Sequence, residues 1–244
     1  MSPRPRASQS PRLPAPLRAL GRALHDAALA AFLHNASLLV RLGLRLACQA
    51  RVAGRDRVPR RGGLLVAANH ASFADPVILQ AHIPRHLTYL MTDKYYFIPG
   101  LHAFARFYRV LCLRARGPNK AALRAAVRIL EAGGAAGIFP EGAISRDGVV
   151  HDALPGIGLL AQRAGVPVLP VGLAGTERLM PPDTWRLHRA RVALYFGEPL
   201  RPAGESRQAL LGRINEAIHD AAAEARRLVA QAPPQGLASR RPEP

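Results

Sequence analysis

From Arg57 onward the chain alternates short apolar runs with segments of helical periodicity, and this alternation limits its fold more than any other feature. Apolar runs of strand length that alternate with helices pack as layers. We therefore predict an α/β fold with a mixed, largely parallel sheet flanked by helices. The predicted strands are Leu64–Ala68, Leu87–Met91, Tyr108–Leu113, Ala135–Phe139, Val168–Leu173 and Val192–Phe196. The predicted helices begin near Ser72, Pro99, Asn119, Gly156 and Ser206.

A histidine follows the first of these apolar runs, and a carboxylate comes soon after it. His70 follows Leu64–Ala68, and Asp75 lies five positions further on. Histidine can take a proton near neutral pH, and a carboxylate on its other ring nitrogen fixes the tautomer. Because side chains five apart in one helix point apart, the two meet only if His70 precedes a helix and Asp75 lies in its first turn. Ser72 and Asp75 have the spacing of a capping box, and Pro76 is tolerated in a first turn.

Two further segments have a similar organisation. Phe139-Pro140-Glu141-Gly142 closes the apolar run that begins at Ala135, and Val166–Val171 is an apolar strand with internal prolines. Taken singly, the first segment is explained by a turn with local bonds between side chains and backbone, and the second by a strand followed by a turn. Their occurrence together, in this order, is what indicates chemistry.

Together these segments resemble the motifs of the glycerolipid acyltransferase family, whose best-known members are lysophosphatidic acid acyltransferases. The first motif of that family is Asn-His-x-Ser-x-x-Asp. Asn69, His70, Ser72 and Asp75 match it in full.

The other motifs are matched less completely. The third, Phe-Pro-Glu-Gly-Thr-Arg-Ser, is matched at 139–142 and at Ser145, and the fourth, an apolar strand with prolines, at Val166–Val171. The second, Gly-x-Ile-x-x-x-Arg, retains only Arg114. The resemblance covers roughly residues 50–200 and implies that the chain is an O-acyltransferase.

The departures from the third motif concern the acceptor. Ala143 replaces the Thr and Ile144 replaces the Arg. In the family, that Arg and the Arg of the second motif are implicated in holding the acceptor's phosphate. Arg114 is therefore predicted to bind phosphate, and Arg146 is either a substitute for the lost Arg or a solvated turn residue. The loss also leaves room for another acceptor, such as a lyso-amino-lipid or a glycolipid.

The resemblance implies transfer of a fatty acyl group to the hydroxyl of a lyso-glycerolipid in phospholipid biosynthesis. The expected acceptor is 1-acylglycerol-3-phosphate. The acyl donor would be acyl-CoA or acyl-carrier protein, and neither a cofactor nor a metal is expected. His70 would act as general base and Asp75 would orient it. The backbone N–H groups near Gly142 or in the turn at Ser72 are the predicted oxyanion donors. The motif residues assigned to substrate binding are Asn69, Ser72, Glu141 and Gly142.

The charge of the chain points to an anionic partner. The formal net charge is +18, and all but two of the basic residues are arginines. Such a charge attracts nucleic acid or anionic lipid. Aromatic residues are few and no nucleic-acid reader motif is present, so an anionic membrane is the favoured partner and nucleic acid is not. A catalytically inactive relative that binds lipid or nucleic acid is the alternative from another class.

The amino-terminal part is predicted to lie at the membrane surface. Its longest uncharged apolar run, Ala27–Val40, is shorter than the roughly 20 residues that a spanning helix needs. We predict a disordered basic arm over 1–16, amphipathic interface helices over 17–50, an acyltransferase domain over 51–230 and a disordered tail over 231–244. The alternative is that 17–50 packs on the domain. The expected location is the cytoplasmic face of the cell membrane, as a peripheral or monotopic protein.

Overall fold

A computed structural model of the chain describes residues 43, 48–97, 102, 105–106, 108–117, 119–182, 184 and 186–231. Its strands are β1 (Cys48–Ala53), β2 (Leu64–Ala68), β3 (Leu87–Thr92), β4 (Leu111–Leu113), β5 (Ala135–Ile138), β6 (Val168–Ala174) and β7 (Ala190–Phe196). Its α-helices are α1 (Asp75–His82), α2 (Asp93–Tyr96), α3 (Lys120–Glu131), α4 (Gly156–Ala164), α5 (Thr176–Leu179) and α6 (Arg207–Ala230). Arg55–Arg57 form a single 3₁₀ turn.

The described strands form one sheet in the order β1-β7-β6-β2-β5-β3-β4. β2 lies at its centre and pairs in parallel with β5 and β6, and β3 and β4 continue the parallel arrangement beyond β5. β7 is antiparallel to β6, and β1 runs parallel to β7. The predicted mixed, largely parallel sheet is confirmed. The carboxyl ends of β2, β3, β5 and β6 and the amino end of β7 meet at one edge, called here the upper edge.

Both faces of the sheet are covered. Leu64 and Val66 of β2 belong to a core on the side of α1, while Leu65 and Ala67 belong to a second core beneath α3, α4 and α6. This alternation is the period-two pattern of a strand that is buried on both faces. Helix α6 crosses β6 so closely that a Cβ on Gly172 would lie 1.9 Å from the Ala221 carbonyl oxygen. Only glycine fits at that crossing.

The sequence prediction is wrong at the amino-terminal border of the domain. Cys48–Ala50, assigned above to the helical segment over 17–50, are the first half of β1 and pair with β7. β1 is an edge strand exposed over Gln49–Arg51, so it lacks the apolar run that identified the other strands. Apart from residue 43, the rest of that segment lies outside the described residues, as do the arm over 1–16, the helix start at Pro99 and residues 232–244.

The strand predicted from Tyr108 begins later, at Leu111. Arg109 has φ 50°, and the Val110 N–H donates to the Ala105 carbonyl at 2.8 Å, so the backbone there still closes a turn. A non-glycine residue at positive φ cannot continue a strand. No helix in the described part of the chain is both long enough and apolar enough to cross a bilayer.

Candidate active site

Asn69 ties the upper end of β2 to its neighbour β6. Its amide nitrogen donates to the Leu173 carbonyl at 3.0 Å, and its amide oxygen accepts the Leu173 N–H at 2.7 Å. The side chain is 4% exposed, so these bonds are shielded from water. Asn69 thus uses both ends of its amide on the protein and fixes where the chain leaves the sheet. Residues 69–75, which begin here, are called the His70 turn.

His70 and Asp75 meet as the sequence predicted. His70 precedes α1, Asp75 is its first residue, and His70 Nδ1 lies 2.8 Å from Asp75 Oδ2. The same oxygen accepts the N–H groups of Ala71 at 2.7 Å and Ser72 at 2.8 Å. A carboxylate only accepts, so Nδ1 carries the proton and Nε2 keeps a lone pair. Asp75 is wholly buried, whereas the His70 side chain is 17% exposed, so the ring reaches the surface of a cavity from a fixed base.

The Ser72 hydroxyl stabilises the same turn through two hydrogen bonds. Its hydroxyl donates to the Met180 carbonyl at 2.7 Å and accepts the Ala74 N–H at 3.1 Å. Asp75 completes one half of the expected capping box by accepting the Ser72 N–H, but α1 has Ala74 as its N-cap and begins three residues after Ser72. The Ser72 side chain therefore positions the turn and does not cap the helix directly.

Glu141 joins the His70 turn to the segment that follows β5. Its two carboxylate oxygens accept the N–H of His70 at 2.8 Å and the N–H of His151 at 3.1 Å. The Ser145 N–H donates in return to the His70 carbonyl at 2.8 Å. Burial raises the pKa of Glu141, and the two N–H donors offset part of that rise. Residues 139–151, called the Glu141 turn, thus grip the backbone of His70 on both sides.

Stacked aromatic side chains fix the plane of the His70 ring. It stacks on Phe139 with the ring centroids 4.1 Å apart, and Phe139 in turn stacks on Tyr89 at 6.2 Å. The Tyr89 hydroxyl donates to the Pro76 carbonyl at 2.8 Å, and burial raises the pKa of this phenol well above its usual range. The stack restricts the rotation of the imidazole ring independently of the contact with Asp75.

Two cavities flank His70. The first, called the apolar cavity, has a volume of about 460 Å³. Its apolar lining includes Leu90, Met91, Leu113, Leu123, Ile138 and Ile157. The second, called the polar cavity, measures about 280 Å³ and is bordered by Asn69, Glu141, Arg146 and Arg226. His70 lines both, so its ring stands where an apolar substrate and a charged one can meet.

The cations divide between these two cavities. Arg114, which follows β4, lines the apolar cavity, whereas Arg146 lines the polar one. Of the two alternatives for Arg146, the one in which it substitutes for the missing motif arginine would place that charge on the opposite side of His70 from Arg114. Lys94, which the sequence interpretation missed, lines the apolar cavity with Arg114. The sequence feature that could have identified it is its position two residues after β3, at the same upper edge.

The structure narrows the choice of oxyanion donors. The Ser72 N–H is taken by Asp75, and the Gly142 N–H donates to the Phe139 carbonyl at 3.2 Å, so within the two predicted segments these two N–H groups are engaged. Gly142 has φ 78°, and a Cβ there would lie 2.8 Å from Leu154, which explains the glycine. The next residue, Ala143, lines the apolar cavity beside His70.

Comparison with known proteins gives a consistent result. The sequence pattern of the family described as Acyltransferase matches residues 49–174, just over half of the chain. A 1-acyl-sn-glycerol-3-phosphate acyltransferase of Bacillus subtilis is 21% identical over 180 residues, which are 70% of this chain and 86% of that protein. A protein of the same name from Borreliella burgdorferi is 26% identical over 128 residues, 52% of this chain. The matched region spans 51% of the Borreliella protein and 33% of a chloroplastic relative from Brassica napus.

A solved structure shares the fold over most of its length. The crystal structure of the 1-acyl-sn-glycerophosphate (LPA) acyltransferase PlsC from Thermotoga maritima superposes with a TM-score of 0.72 and 27% sequence identity. The similarity covers 83% of both chains. It covers a larger share of the chain than the matched sequence pattern does.

Proposed function

This chain belongs to the Acyltransferase family, and from that premise we propose that it transfers a fatty acyl group from a thioester to the free hydroxyl of a lyso-glycerolipid. The proposed acceptor is 1-acylglycerol-3-phosphate. The observation that carries the proposal is the 2.8 Å contact between His70 Nδ1 and the buried Asp75, at the junction of an apolar and a polar cavity. The acyl donor, acyl-CoA or acyl-carrier protein, is a cosubstrate.

His70 acts as general base. Its Nε2 takes the acceptor's hydroxyl proton while that oxygen attacks the thioester carbonyl, and Asp75 stabilises the imidazolium that forms. The tetrahedral intermediate then collapses with cleavage of the carbon–sulfur bond, and the imidazolium returns the proton to the departing thiolate. The thioester is already activated, so the chain needs no nucleophile of its own. The Ala143 N–H, for which the described residues provide no backbone acceptor, is our candidate oxyanion donor.

The apolar cavity suits lipid chains, and the cations at its wall suit the acceptor's phosphate. Leu90, Leu113 and Ile157 offer apolar surface, and burying each methylene of an acyl chain stabilises the complex by about 0.8 kcal/mol. Arg114 is exposed and Lys94 lies in the same wall, so both can reach a phosphate without leaving solvent. The missing motif arginine at Ile144 favours a second candidate, an acyltransferase of this type whose acceptor has no phosphate.

The proposal is tested by the release of thiol from an acyl-CoA in the presence of lysophosphatidic acid. His70→Ala should lower kcat about a thousandfold, because general-base catalysis is worth about 10²–10⁴ in rate. The matched control is His219→Ala, since His219 faces Asp152 at 3.3 Å on the surface and lines neither cavity. Turnover that survives His70→Ala, or that falls equally in both variants, excludes the general-base role.

A panel of acceptors separates the two candidate functions. Arg114→Gln should raise KM for lysophosphatidic acid about tenfold and leave KM for the thioester unchanged, since one charge-assisted bond is lost. Wild-type enzyme that prefers an uncharged or amino-containing lyso-lipid would instead favour the second candidate.

We also propose that the upper edge faces a membrane. The exposed large apolar side chains Phe97, Val149, Leu154 and Leu187 all lie in segments that follow β3 or β5 or precede β7, and so surround the cavities at this edge. Scattered exposed apolar residues are ordinary, but a set grouped around a lipid site indicates contact with lipid.

Phe97→Ser with Leu187→Ser should reduce flotation with anionic vesicles. Deletion of residues 1–47, which spares β1, separates this surface from the amino-terminal segment.

A further inference from the structure

A second charged cavity adjoins the polar cavity and has no role in the chemistry described so far. It has a volume of about 580 Å³, and its walls are the end of β6, the start of α5, the start of β7 and the last turns of α6. We call it the arginine groove. Its charged lining consists of Arg178, Arg189, Arg191, Arg226 and the single carboxylate Glu177.

The arginine groove connects to the catalytic histidine through shared walls. Ala174, Gly175, Glu177 and Arg226 line both the arginine groove and the polar cavity, and the polar cavity reaches His70. Arg191 lies at the upper end of β7 and Arg189 directly precedes that strand, which is the second strand from β2. At a strand spacing of about 4.8 Å, the groove therefore lies roughly 10 Å across the sheet from His70. A continuous route bordered by Glu141, Arg146 and Arg226 thus leaves the histidine on the side opposite the apolar cavity.

Resting on the proposed acyl transfer, we propose that the arginine groove binds the 3′-phosphorylated adenosine diphosphate of coenzyme A, and that the pantetheine arm crosses the polar cavity to His70. A pantetheine arm resembles about four extended residues and reaches roughly 14 Å, enough for this distance. The three phosphate groups of coenzyme A are anionic, and guanidinium forks match phosphate oxygens.

The charge and shape of the groove favour this ligand over the alternatives. Four arginines against one carboxylate give a net charge of +3 in the lining, and Glu177 already has Arg178 at 3.7 Å. The groove is an open depression of about 580 Å³, which has room for a nucleotide. The apolar cavity accounts for the lipid chains, so the groove is the place left for the polar half of the donor.

In this arrangement the lipid groups and the thiol product lie on opposite sides of His70. The acyl chain and the acceptor occupy the apolar cavity, and the thiol product leaves through the polar cavity. Arg226 takes part in both regions, since its Nη2 donates to the Gly148 carbonyl of the Glu141 turn at 2.9 Å while the residue borders the groove. Occupancy of the groove is thereby linked to the segment that grips His70.

Calorimetry with coenzyme A and with adenosine 3′,5′-bisphosphate tests the groove without turnover. In the full chain, Arg178→Gln and Arg189→Gln should each weaken coenzyme A binding about tenfold, as expected for one charge-assisted contact. Both arginines line the arginine groove and neither lines the polar cavity, and the double variant combines the two changes. Adenosine 3′,5′-bisphosphate should bind the wild type and fail to bind the double variant. The matched control is Arg124→Gln with Arg128→Gln, since both arginines are exposed on α3 and line none of the three cavities. Unchanged affinity for coenzyme A in the double variant overturns the proposal.

Kinetics with two thioesters provides the second arm. The double variant should raise KM for an acyl-CoA about a hundredfold and leave KM for the same acyl group on pantetheine within about twofold. Equal changes for both thioesters, a change confined to acyl-carrier protein, or a loss of vesicle binding alone would each overturn the assignment. If no thioester is consumed by the wild type, the proposed function fails, while the calorimetric arm still decides whether the groove binds the nucleotide.

Discussion

The His70 turn and the Glu141 turn both leave the upper edge of the sheet, but they use their polar groups differently. In the His70 turn, Asn69, Ser72 and Asp75 are buried, and each bonds to backbone atoms. In the Glu141 turn, Glu141 and Ser145 bond inward at its base, whereas Ala143 and Arg146 at its tip are exposed. One turn holds an imidazole in a fixed position, and the other has its tip exposed beside the two cavities.

The difference explains where the chain departs from its family motifs. The first motif is complete because each of its polar side chains has a structural partner whose loss would move His70. The third motif is kept at Phe139 and Glu141, which stack on or bond to His70, and changed at Ala143 and Ile144. Substitutions at the tip leave these contacts intact. We therefore expect substitutions in the His70 turn to affect rate and stability strongly, and those in the Glu141 turn to act more weakly toward its tip.

The largest effect is expected from Asp75→Asn. The variant loses the charge that stabilises the His70 imidazolium, and kcat should fall at least about a hundredfold. Asp75 Oδ1 is buried with no hydrogen-bond partner among the described residues, so an amide nitrogen there would be unsatisfied. The variant should therefore also lose about 1–3 kcal/mol of stability. Single-turnover thiol release and thermal unfolding measure the two effects.

The matched change at the surface is Asp152→Asn. Asp152 faces His219 at 3.3 Å and its side chain is 81% exposed, so the same chemical change removes a solvated contact. Its kcat should stay within about twofold of the wild type. Comparable losses in both variants would show that the burial of Asp75 is irrelevant.

Much of this site could be predicted from the sequence, because its parts are local. The strand-ending position of His70 and the start of a helix at Asp75 are separated by a few residues, so spacing alone brought them together. The contact between Asn69 and Leu173 and that between Glu141 and the His70 backbone span 104 and 71 positions. No periodicity reports such bonds, and the sequence interpretation therefore assigned these side chains to substrate.

The arginine groove was unpredictable for the same reason. Arg178 lies in α5, Arg189 directly precedes β7 and Arg226 lies in α6, and the antiparallel placement of β7 beside β6 brings them together. In the sequence they are three among many arginines. β1 was missed because an exposed edge strand carries no apolar run.

A smaller effect, mainly on stability, is expected from Ser72→Ala. The change leaves the Met180 carbonyl and the Ala74 N–H without a hydrogen-bond partner in a buried site, which should lower the free energy of unfolding by about 1–3 kcal/mol. For a domain of this size the melting temperature falls by about 2–4 °C per kcal/mol. Ser206→Ala, which removes an exposed N-cap bond to the Ala209 N–H, is the comparison and should cost about 1 kcal/mol or less. A smaller loss at Ser72 than at Ser206 would contradict the structural role of Ser72.

In the Glu141 turn, Glu141→Gln should lower kcat about tenfold, because one of two backbone N–H groups then faces an amide donor. Its pH dependence has a definite sign. The pKa of Glu141 is raised above 4.5, so the folded state binds more protons than the unfolded state in that range. The free energy of unfolding contributed by this group falls as pH rises through the raised pKa. The wild type's stability advantage over the variant should thus be larger near about pH 4 than near about pH 7.

The smallest effect is expected nearer the tip, at Asp147. Its exposed carboxylate accepts the Ser145 hydroxyl at 2.9 Å and the Val149 N–H at 3.0 Å, and these bonds lower its pKa from 3.8 to about 2. A lowered pKa gives stability that is present above the unfolded value and is lost as pH falls toward about 2. Asp147→Asn keeps an oxygen for both donors, so kcat should change by less than about twofold. In thermal unfolding the small gap between wild type and variant should close on acidification from about pH 4 to about pH 2, and a gap that widens would mean that Asp147 does not hold the turn through its charge.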